Sequence, residues 1–426
     1  MPTVGGIRVE FILFALTLLG VAVFHRKTFW VALTGLVVIL GYKLILDPGF
    51  RLAEHFLGSR PLVDQILHKH LREGEWPTLL NLLGLLLGFA VLSRTFEDSG
   101  LADRLPRWLP DDWKGGFVLL LFVFILSAFL DNIAAALIGG SVALVVFQRR
   151  VHLGYLAAVV AAANAGGAGS VLGDTTTTMM WIDGVSPVAV LRAFLAAGAA
   201  FLFFAWFASR QQDRHQHIQK EPVERTPVDG ARLGIVGLIL VGAILSNVLF
   251  DLPALGVWIA IVLGQLVRRM PWREVPAALT GTLFLLFLVT CASLMPVKDL
   301  PAASWKTAFL LGFVSAVFDN IPLTKLCLQQ GCYDWSMLAY AVGFGGSMVW
   351  FGSSAGVAIC NKFPEARNVG AWLRSGWHVA VAYVIGFFVL LLVAGWQPGH
   401  TRRIKATSPA CPAQAAETAP APPLHK

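Results

Sequence analysis

The chain has 426 residues, 56% of them hydrophobic and only 14% charged, and its mean hydropathy is +0.69. Soluble domains carry about 25% charged residues, so a water-surrounded globule is excluded and the polypeptide reads as a membrane protein. The formal charge of +8 does not indicate nucleic acid, because the basic residues stand in short clusters between apolar runs, as membrane topology requires.

From the N-terminus, apolar runs at 9–24 and 28–47 predict the first two spans. The first contains Glu10 and lacks a small-residue cleavage site, so it reads as a span rather than a removable signal peptide. Stretches 61–72 and 97–114 mix Leu, Trp and charges and suit interfacial helices, while 77–96 is long and apolar enough to cross. Further spans are expected at 153–182, 187–208, 232–250, 253–267, 280–297, 337–361 and 372–395. Runs 116–148 and 307–329 do not fit this series. Each is interrupted by an Asp-Asn pair, leaving arms near or below the roughly 17 residues a crossing needs. Each therefore reads as a re-entrant hairpin, the competing reading being one long tilted helix with a buried polar pair.

Residues 210–231 are polar and proline-bearing, as a cytoplasmic linker should be, and residues 397–426 are rich in Pro and Ala, the composition of a disordered tail. The expected organisation is a first membrane repeat over 1–209, the linker, a second repeat over 232–396, and the tail. Five cysteines (Cys291, Cys327, Cys332, Cys360 and Cys411) form no CxxC pair and have no histidine at metal spacing. They read as packing residues, with neither a zinc site nor a disulfide framework.

An internal repeat is the strongest signal. SAFLDNI (Ser127 to Ile133) recurs as SAVFDNI (Ser315 to Ile321). Downstream, GGAGSVLGD (Gly166 to Asp174) pairs with GGSMVWFGS (Gly345 to Ser353). If the hairpins do not cross, each half supplies five crossings, and an odd number inverts the second half relative to the first. The fold expected is therefore an all-α polytopic membrane protein: an inverted-topology repeat of about ten transmembrane helices, two re-entrant hairpins and two unwound helices. The placement of Lys and Arg in alternate loops puts both termini outside and the linker in the cytoplasm of a multi-pass cell-membrane protein.

Charge in the hydrocarbon layer costs a few kcal/mol or more, so Asp131, Asp174 and Asp319 are candidate functional groups. Each hairpin tip offers an amide, Asn132 or Asn320, a hydroxyl from Ser127 or Ser315, and freed backbone carbonyls, the hard oxygen ligands that a small cation prefers. The glycine runs let a spanning helix unwind at mid-membrane. Asp174 is followed by four threonines, and Asn164 is close enough to share their cavity. A buried carboxylate suits cation/proton exchange, because a bound proton or sodium neutralises the same charge and the two compete for it. Lys325, six residues past Asp319, reads as snorkelling to the outer surface in preference to standing in for a cation. His378 reads as a proton relay or a satisfied structural histidine.

The stretch NAGGAGSVLGDTTTTMMW (Asn164 to Trp181), the two Asp-Asn tips and AYAVGFGGSMVWFGSSAGV resemble the NhaD-type sodium/proton antiporters of the ion-transporter superfamily, which also contains arsenite, citrate and dicarboxylate carriers. The resemblance extends over about residues 77 to 395. It implies an inverted-repeat transporter, often a homodimer, moving by an elevator-like displacement, with no cofactor and with sodium or lithium and protons as the transported species. Carried over residue by residue, the family's cation site falls on Asp131, Asn132, Asn164, Asp174, Thr176 and Thr177 in the first half. In the second it falls on Ser315, Asp319, Asn320, Ser353 and Ser354. Asp131, Asn132, Asp174 and Asn320 are the sodium ligands this implies. Where the family pattern has Trp and Pro in the first glycine run, this chain has Gly169 and Val171.

Two other functions are carried forward. A sodium- or proton-coupled carrier of an organic or inorganic anion could use Lys325 and helix N-termini to bind its substrate. An intramembrane serine hydrolase is suggested by GSSAG (Gly352 to Gly356), which matches G-x-S-x-G with Ser354 as nucleophile and His378 as base, although no strand precedes it.

Overall fold

A backbone surrounded by hydrocarbon must satisfy its own N–H and C=O groups, so apolar runs of this composition close into helices. The computed structural model describes residues 2–24, 27–219, 227–401 and 411, and the chain there is almost wholly helical. A two-residue ribbon, β1 (Thr3–Val4) against β2 (Ile7–Arg8), leads into α1 (Val9–Val23) and α2 (Thr28–Leu46). The short α3 (Leu52–Leu57) and α4 (Leu62–Leu67) precede the long α5 (Trp76–Glu97). α6 (Trp113–Ser127) stops short of α7 (Asn132–Val146), and α8 (Leu153–Ala168) stops short of α9 (Thr175–Ile182). α10 (Pro187–Leu191) runs into α11 (Ala193–His215), the last helix before the linker.

Beyond the linker come α12 (Gly230–Phe250), α13 (Pro253–Gln265) and α14 (Glu274–Ser293). The broken pattern then returns as α15 (Trp305–Ser315) and α16 (Asn320–Gln330), followed by α17 (Trp335–Gly345) and α18 (Ser354–Lys362). α19 (Val369–Ser375) and α20 (Trp377–Ala394) complete the helices.

Six segments are long and apolar enough to cross a membrane: Thr28–Leu46, Trp76–Glu97, Pro187–His215, Gly230–Phe250, Glu274–Ser293 and Trp377–Ala394. Two expected spans give shorter helices, α1 with 15 residues and α13 with 13. At 1.5 Å per residue these reach roughly 20 Å, short of a ~30 Å hydrocarbon layer. The uninterrupted tilted helix weighed for 116–148 and 307–329 is not what forms, since α6 and α7, and α15 and α16, are separate helices. The interfacial helix expected over 97–114 is instead a short 3-10 turn at Ala102–Arg107, with Leu105 and Pro106 buried.

The helices pack as two groups. α12, α13 and α14 each pack on α5, and α12 on α13, with α2 laid on α14 and α1 on α2. In the other, α6, α7, α11, α17 and α18 surround α8, with α15 and α20 packed on α17. The two groups meet where α14 touches α16 and where α5 touches α9. The central position of α8 follows from its sequence, since small Ala and Gly side chains let backbones approach closely on every side, and Gly154–Ala168 is buried throughout. α17 is likewise buried along its whole length, whereas α2, α12 and α13 carry Ile45, Leu249 and Val262 on an exposed apolar face.

Cys332 and Cys411 form a disulfide, which corrects the reading of all five cysteines as packing residues. It fastens the segment after α20 to the turn before α17, beside a Tyr333–Gly399 bridge, and His400 Nε2 lies 3.6 Å and 3.1 Å from the two sulfurs. Of the tail expected to be disordered, residues 402–410 and 412–426 lie outside the described residues.

Asp334 locks the same corner. Fully buried, it caps α17 by accepting from Ser336 N (3.0 Å) and Met337 N (3.2 Å), and its other oxygen takes Gln397 N at 2.8 Å. An Asp334→Ala substitution strands these buried donors together and should lower stability by roughly 3 kcal/mol. Thermal unfolding in detergent is the check, with Asp334→Asn expected to recover part of the loss.

Candidate cation-binding site

The candidate side chains sit where helices restart. Asp131 and Asp319 are the N-caps of α7 and α16, with φ/ψ of −52°/141° and −54°/137°. Each carboxylate accepts from the amide two residues on, Ile133 N at 3.3 Å and Ile321 N at 3.0 Å. A short acidic side chain rewards the backbone for leaving the helix there, which is why the SA-x-x-DNI string breaks the chain at the same point twice. Asp174 and Ser353 cap α9 and α18 with matching extended backbones, −143°/142° and −141°/154°.

Glycine is required where these breaks nest. A Cβ on Gly166 would run into the Phe124 carbonyl and one on Gly345 into that of Gly312, while Gly173 and Gly352 press on the carbonyls of Ser127 and Ala316. The serines of the two repeated strings hold the arms in place: Ser127 Oγ donates to Ala163 O at 2.6 Å and Ser315 Oγ to Val342 O at 2.7 Å.

One buried network joins the two halves. The Asn132 amide donates to Asn164 Oδ1 (3.0 Å) and to Asp174 Oδ1 (3.1 Å). Asn164 Nδ2 then donates to Ser347 Oγ (2.9 Å) and Ser353 Oγ (3.1 Å), across to α17 and α18. The Thr176 hydroxyl donates to the other Asp174 oxygen. Ser347 was not singled out in the sequence, although it stands inside the repeated glycine run. At the position matching Asn164 in the second glycine run the chain has Gly343, where an added Cβ would sit 3.4 Å from Asp174 Oδ2. The α17 backbone can therefore lie close against the carboxylate on that side.

A cavity of about 580 Å³ lies between this network and the α5–α14 pair. Asp131, Asn132, Asp174, Thr175, Asn320 and Ser354 line one wall, and Leu86, Phe89, Phe284 and Leu285 the other. Arg94, Glu97 and Glu274 line it at the linker-side ends of α5 and α14, where Arg94 pairs with Glu97 (3.1 Å) and Asp98 (3.1 Å). Of the expected site residues, Asp131, Asn132, Asp174, Asn320 and Ser354 face the cavity, and Asn164, Thr176 and Ser353 stand behind them. The Thr177 hydroxyl donates to the carbonyls of Ser170 (2.6 Å) and Asp174 (2.8 Å), and that of Ser315 to Val342, so both are directed at backbone. Asp319 caps its helix and is not among the cavity-lining residues.

Lys325 corrects the snorkelling expectation. It is buried, with Nζ 2.7 Å from Glu75 Oε2 and 3.5 Å from Asp183 Oδ2. Asp183 also accepts from Thr78 Oγ1 at 2.8 Å. Four residues further along α16, Gln329 Nε2 donates to Ser293 O at 2.9 Å. α16 is therefore tied to α5 and α14 at the ends opposite Glu97 and Glu274, so the cavity extends toward one end of those helices and is shut at the other.

Neither partner of the suggested hydrolase pair is placed for that chemistry. Ser354 faces the cavity beside Asp174, while His378 lines a separate cavity and, among the described residues, neither of its ring nitrogens has a hydrogen-bond partner.

Residues 11–345 match the family model described as citrate transporter. The chain belongs to this family. Members are transporters and not enzymes, in keeping with the broken helices and the cavity between them. Among curated relatives, sodium/proton antiporter 1 of Arabidopsis thaliana is 29% identical over 332 residues, covering 66% of this chain and 56% of the relative. Sodium/proton antiporter 2 of the same plant is 30% identical over 336 residues, covering 66% and 77%. The Na(+)/H(+) antiporter NhaD of Vibrio parahaemolyticus is 26% identical over 341 residues, covering 64% and 81%. The match to the first of these spans little more than half of that relative's length.

Proposed function

We propose that the protein is a secondary active antiporter exchanging protons for sodium or lithium, with Asp174 and Asp131 as the shared proton and cation carriers. The observation that carries this reading is one cavity lined by both carboxylates and by the Asn132 and Asn320 amides. The relatives described above are named sodium/proton antiporters. Oxygen ligands at helix caps suit a small hard cation that must bind and leave. Because a proton and a cation neutralise the same carboxylates, protonation excludes the cation, so apparent sodium affinity falls as pH falls and release on one side is linked to proton uptake there.

The inverted arrangement of two repeats, each with one re-entrant hairpin and one unwound helix, belongs to the same proposal. Matching cap dihedrals at Asp131 and Asp319, and at Asp174 and Ser353, support it. The termini-outside orientation in a cell membrane rests on the basic loops falling on one side, and dimerisation follows the resemblance stated above.

The anion-carrier alternative loses its cation, because Lys325 is held by two carboxylates. Arg94, at the cavity's edge, is likewise paired with acids. Purified protein in liposomes should collapse an imposed pH gradient when sodium or lithium is added and should not accumulate labelled citrate or succinate. An unaltered gradient together with labelled carboxylate uptake would reverse the assignment.

A further inference from the structure

A second cavity, of about 550 Å³, lies where the end of α11 meets the starts of α8 and α20. Its polar lining among the described residues is basic or neutral: Arg210, Arg214, His152, His215, His378 and Gln211, with no Asp or Glu. Asp213, on the same turn of α11, is engaged with His217 at 2.8 Å. Neither Arg210 nor Arg214 makes an ion pair among the described residues. Arg210 is instead held over the indoles of Trp206 (4.1 Å) and Trp113 (5.1 Å), which fixes its guanidinium without neutralising it.

The buried floor of the cavity has unmet hydrogen-bonding groups. His378 is fully buried, and among the described residues both of its ring nitrogens lack a partner. Gln211 Oε1 is also unpartnered, its amide nitrogen having been used on Ser375 O. Buried polar groups are nearly always paired in folded proteins. This set calls for a ligand carrying negative charge, hydrogen-bond acceptors for the arginines and imidazole, and a donor for the glutamine oxygen. The mouth of the cavity is aromatic and faces outward. Trp206, Phe207 and Trp377 are exposed there, and Leu202 and Leu195 continue the same face of α11 away from the charges. An anionic head at the arginines and an apolar body along the helix match this layout.

We propose that this cavity is a binding site for the phosphodiester headgroup of an anionic phospholipid, with Arg210 and Arg214 on the phosphate, His378 and Gln211 on the headgroup, and the acyl chains along Trp206 and Leu202. The site lies at the start of the linker, at the charged ends of the apolar helices α11 and α20, the kind of place where basic pockets between helices take lipid heads. It is separate from the cation cavity and shares no lining residue with it.

Native mass spectrometry of the full chain released from nanodiscs of phosphatidylcholine with phosphatidylglycerol is the test. Phosphatidylglycerol should be retained selectively. An Arg210→Ala, Arg214→Ala double variant, checked for folding by its unfolding temperature in phosphatidylcholine discs, should bind it about 30-fold more weakly, on the order of fivefold per arginine. Inorganic phosphate and glycerol phosphate at matched concentration should neither bind nor compete. Equal retention of both lipids, or unchanged retention in the double variant, overturns the proposal. Binding of inorganic phosphate in place of the lipid would overturn it in favour of a soluble anion site.

Discussion

Asp174→Asn should abolish sodium/proton exchange while leaving the protein folded. Asparagine has the same shape: its one oxygen can accept from Asn132, and the Thr176 hydroxyl, which accepts as well as donates, can turn to take the new Nδ2, so the network around α8 and α9 survives. What is lost is a negative charge facing the cavity, and with it the group that a proton and a cation share. An uncompensated charge inside the membrane costs about 2.5–3.5 kcal/mol, so cation affinity should fall by on the order of a hundredfold. Exchange in liposomes and the unfolding temperature, measured on one preparation, check this together. The Thr177 and Ser315 hydroxyls bond carbonyls, so Thr177→Val and Ser315→Ala should slow exchange through loosened helix breaks without removing it. Asp319→Asn, at a carboxylate outside the cavity lining, should retain more activity than Asp131→Asn.

The second large effect is expected at Lys325. Lys325→Met leaves Glu75 and Asp183 as buried carboxylates without their cation, and removing one member of a buried ion pair costs about 3–5 kcal/mol. The single variant should unfold at a much lower temperature. Combining it with Glu75→Gln and Asp183→Asn removes all three charges and should restore most of the stability. The restored protein tests closure, because Lys325 links α16 to α5 at the shut end of the cavity. Cys327, two residues further along α16 and buried, is a native reporter. In the triple variant a membrane-impermeant thiol reagent added on the side of Glu75 should label it, whereas wild type should stay protected. Protection in both would show that the ion pair does not hold that end closed.

The sequence made some of this visible and hid the rest for identifiable reasons. Asp131-Asn132 and Asp319-Asn320 stand out because a polar pair inside an apolar run has no cheap place in a membrane, and the structure breaks the helix at both. The glycine runs were legible as breaks because the chain there lacks the side chains that fill a helix surface, and their backbones do press on Phe124, Ser127, Gly312 and Ala316. Partners distant along the chain were not legible. Lys325 read as snorkelling because Asp183 is 142 residues away and Glu75 further still. The Cys332–Cys411 disulfide was missed because Cys411 sits in a Pro- and Ala-rich segment with no periodicity to place it. Hydroxyl direction was equally invisible: the four-threonine run predicted a crowd of oxygens at one break, whereas Thr176 faces the carboxylate and Thr177 the backbone.

The central claim is that a proton and a sodium ion compete for the same carboxylates. It is tested most directly by adding sodium to detergent-solubilised protein in weakly buffered solution and reading the pH with an indicator. Sodium should release protons from wild type in a saturable way and from Asp174→Asn far less, with potassium releasing few. Saturable sodium binding without proton release, or equal release from both proteins, would contradict a shared site.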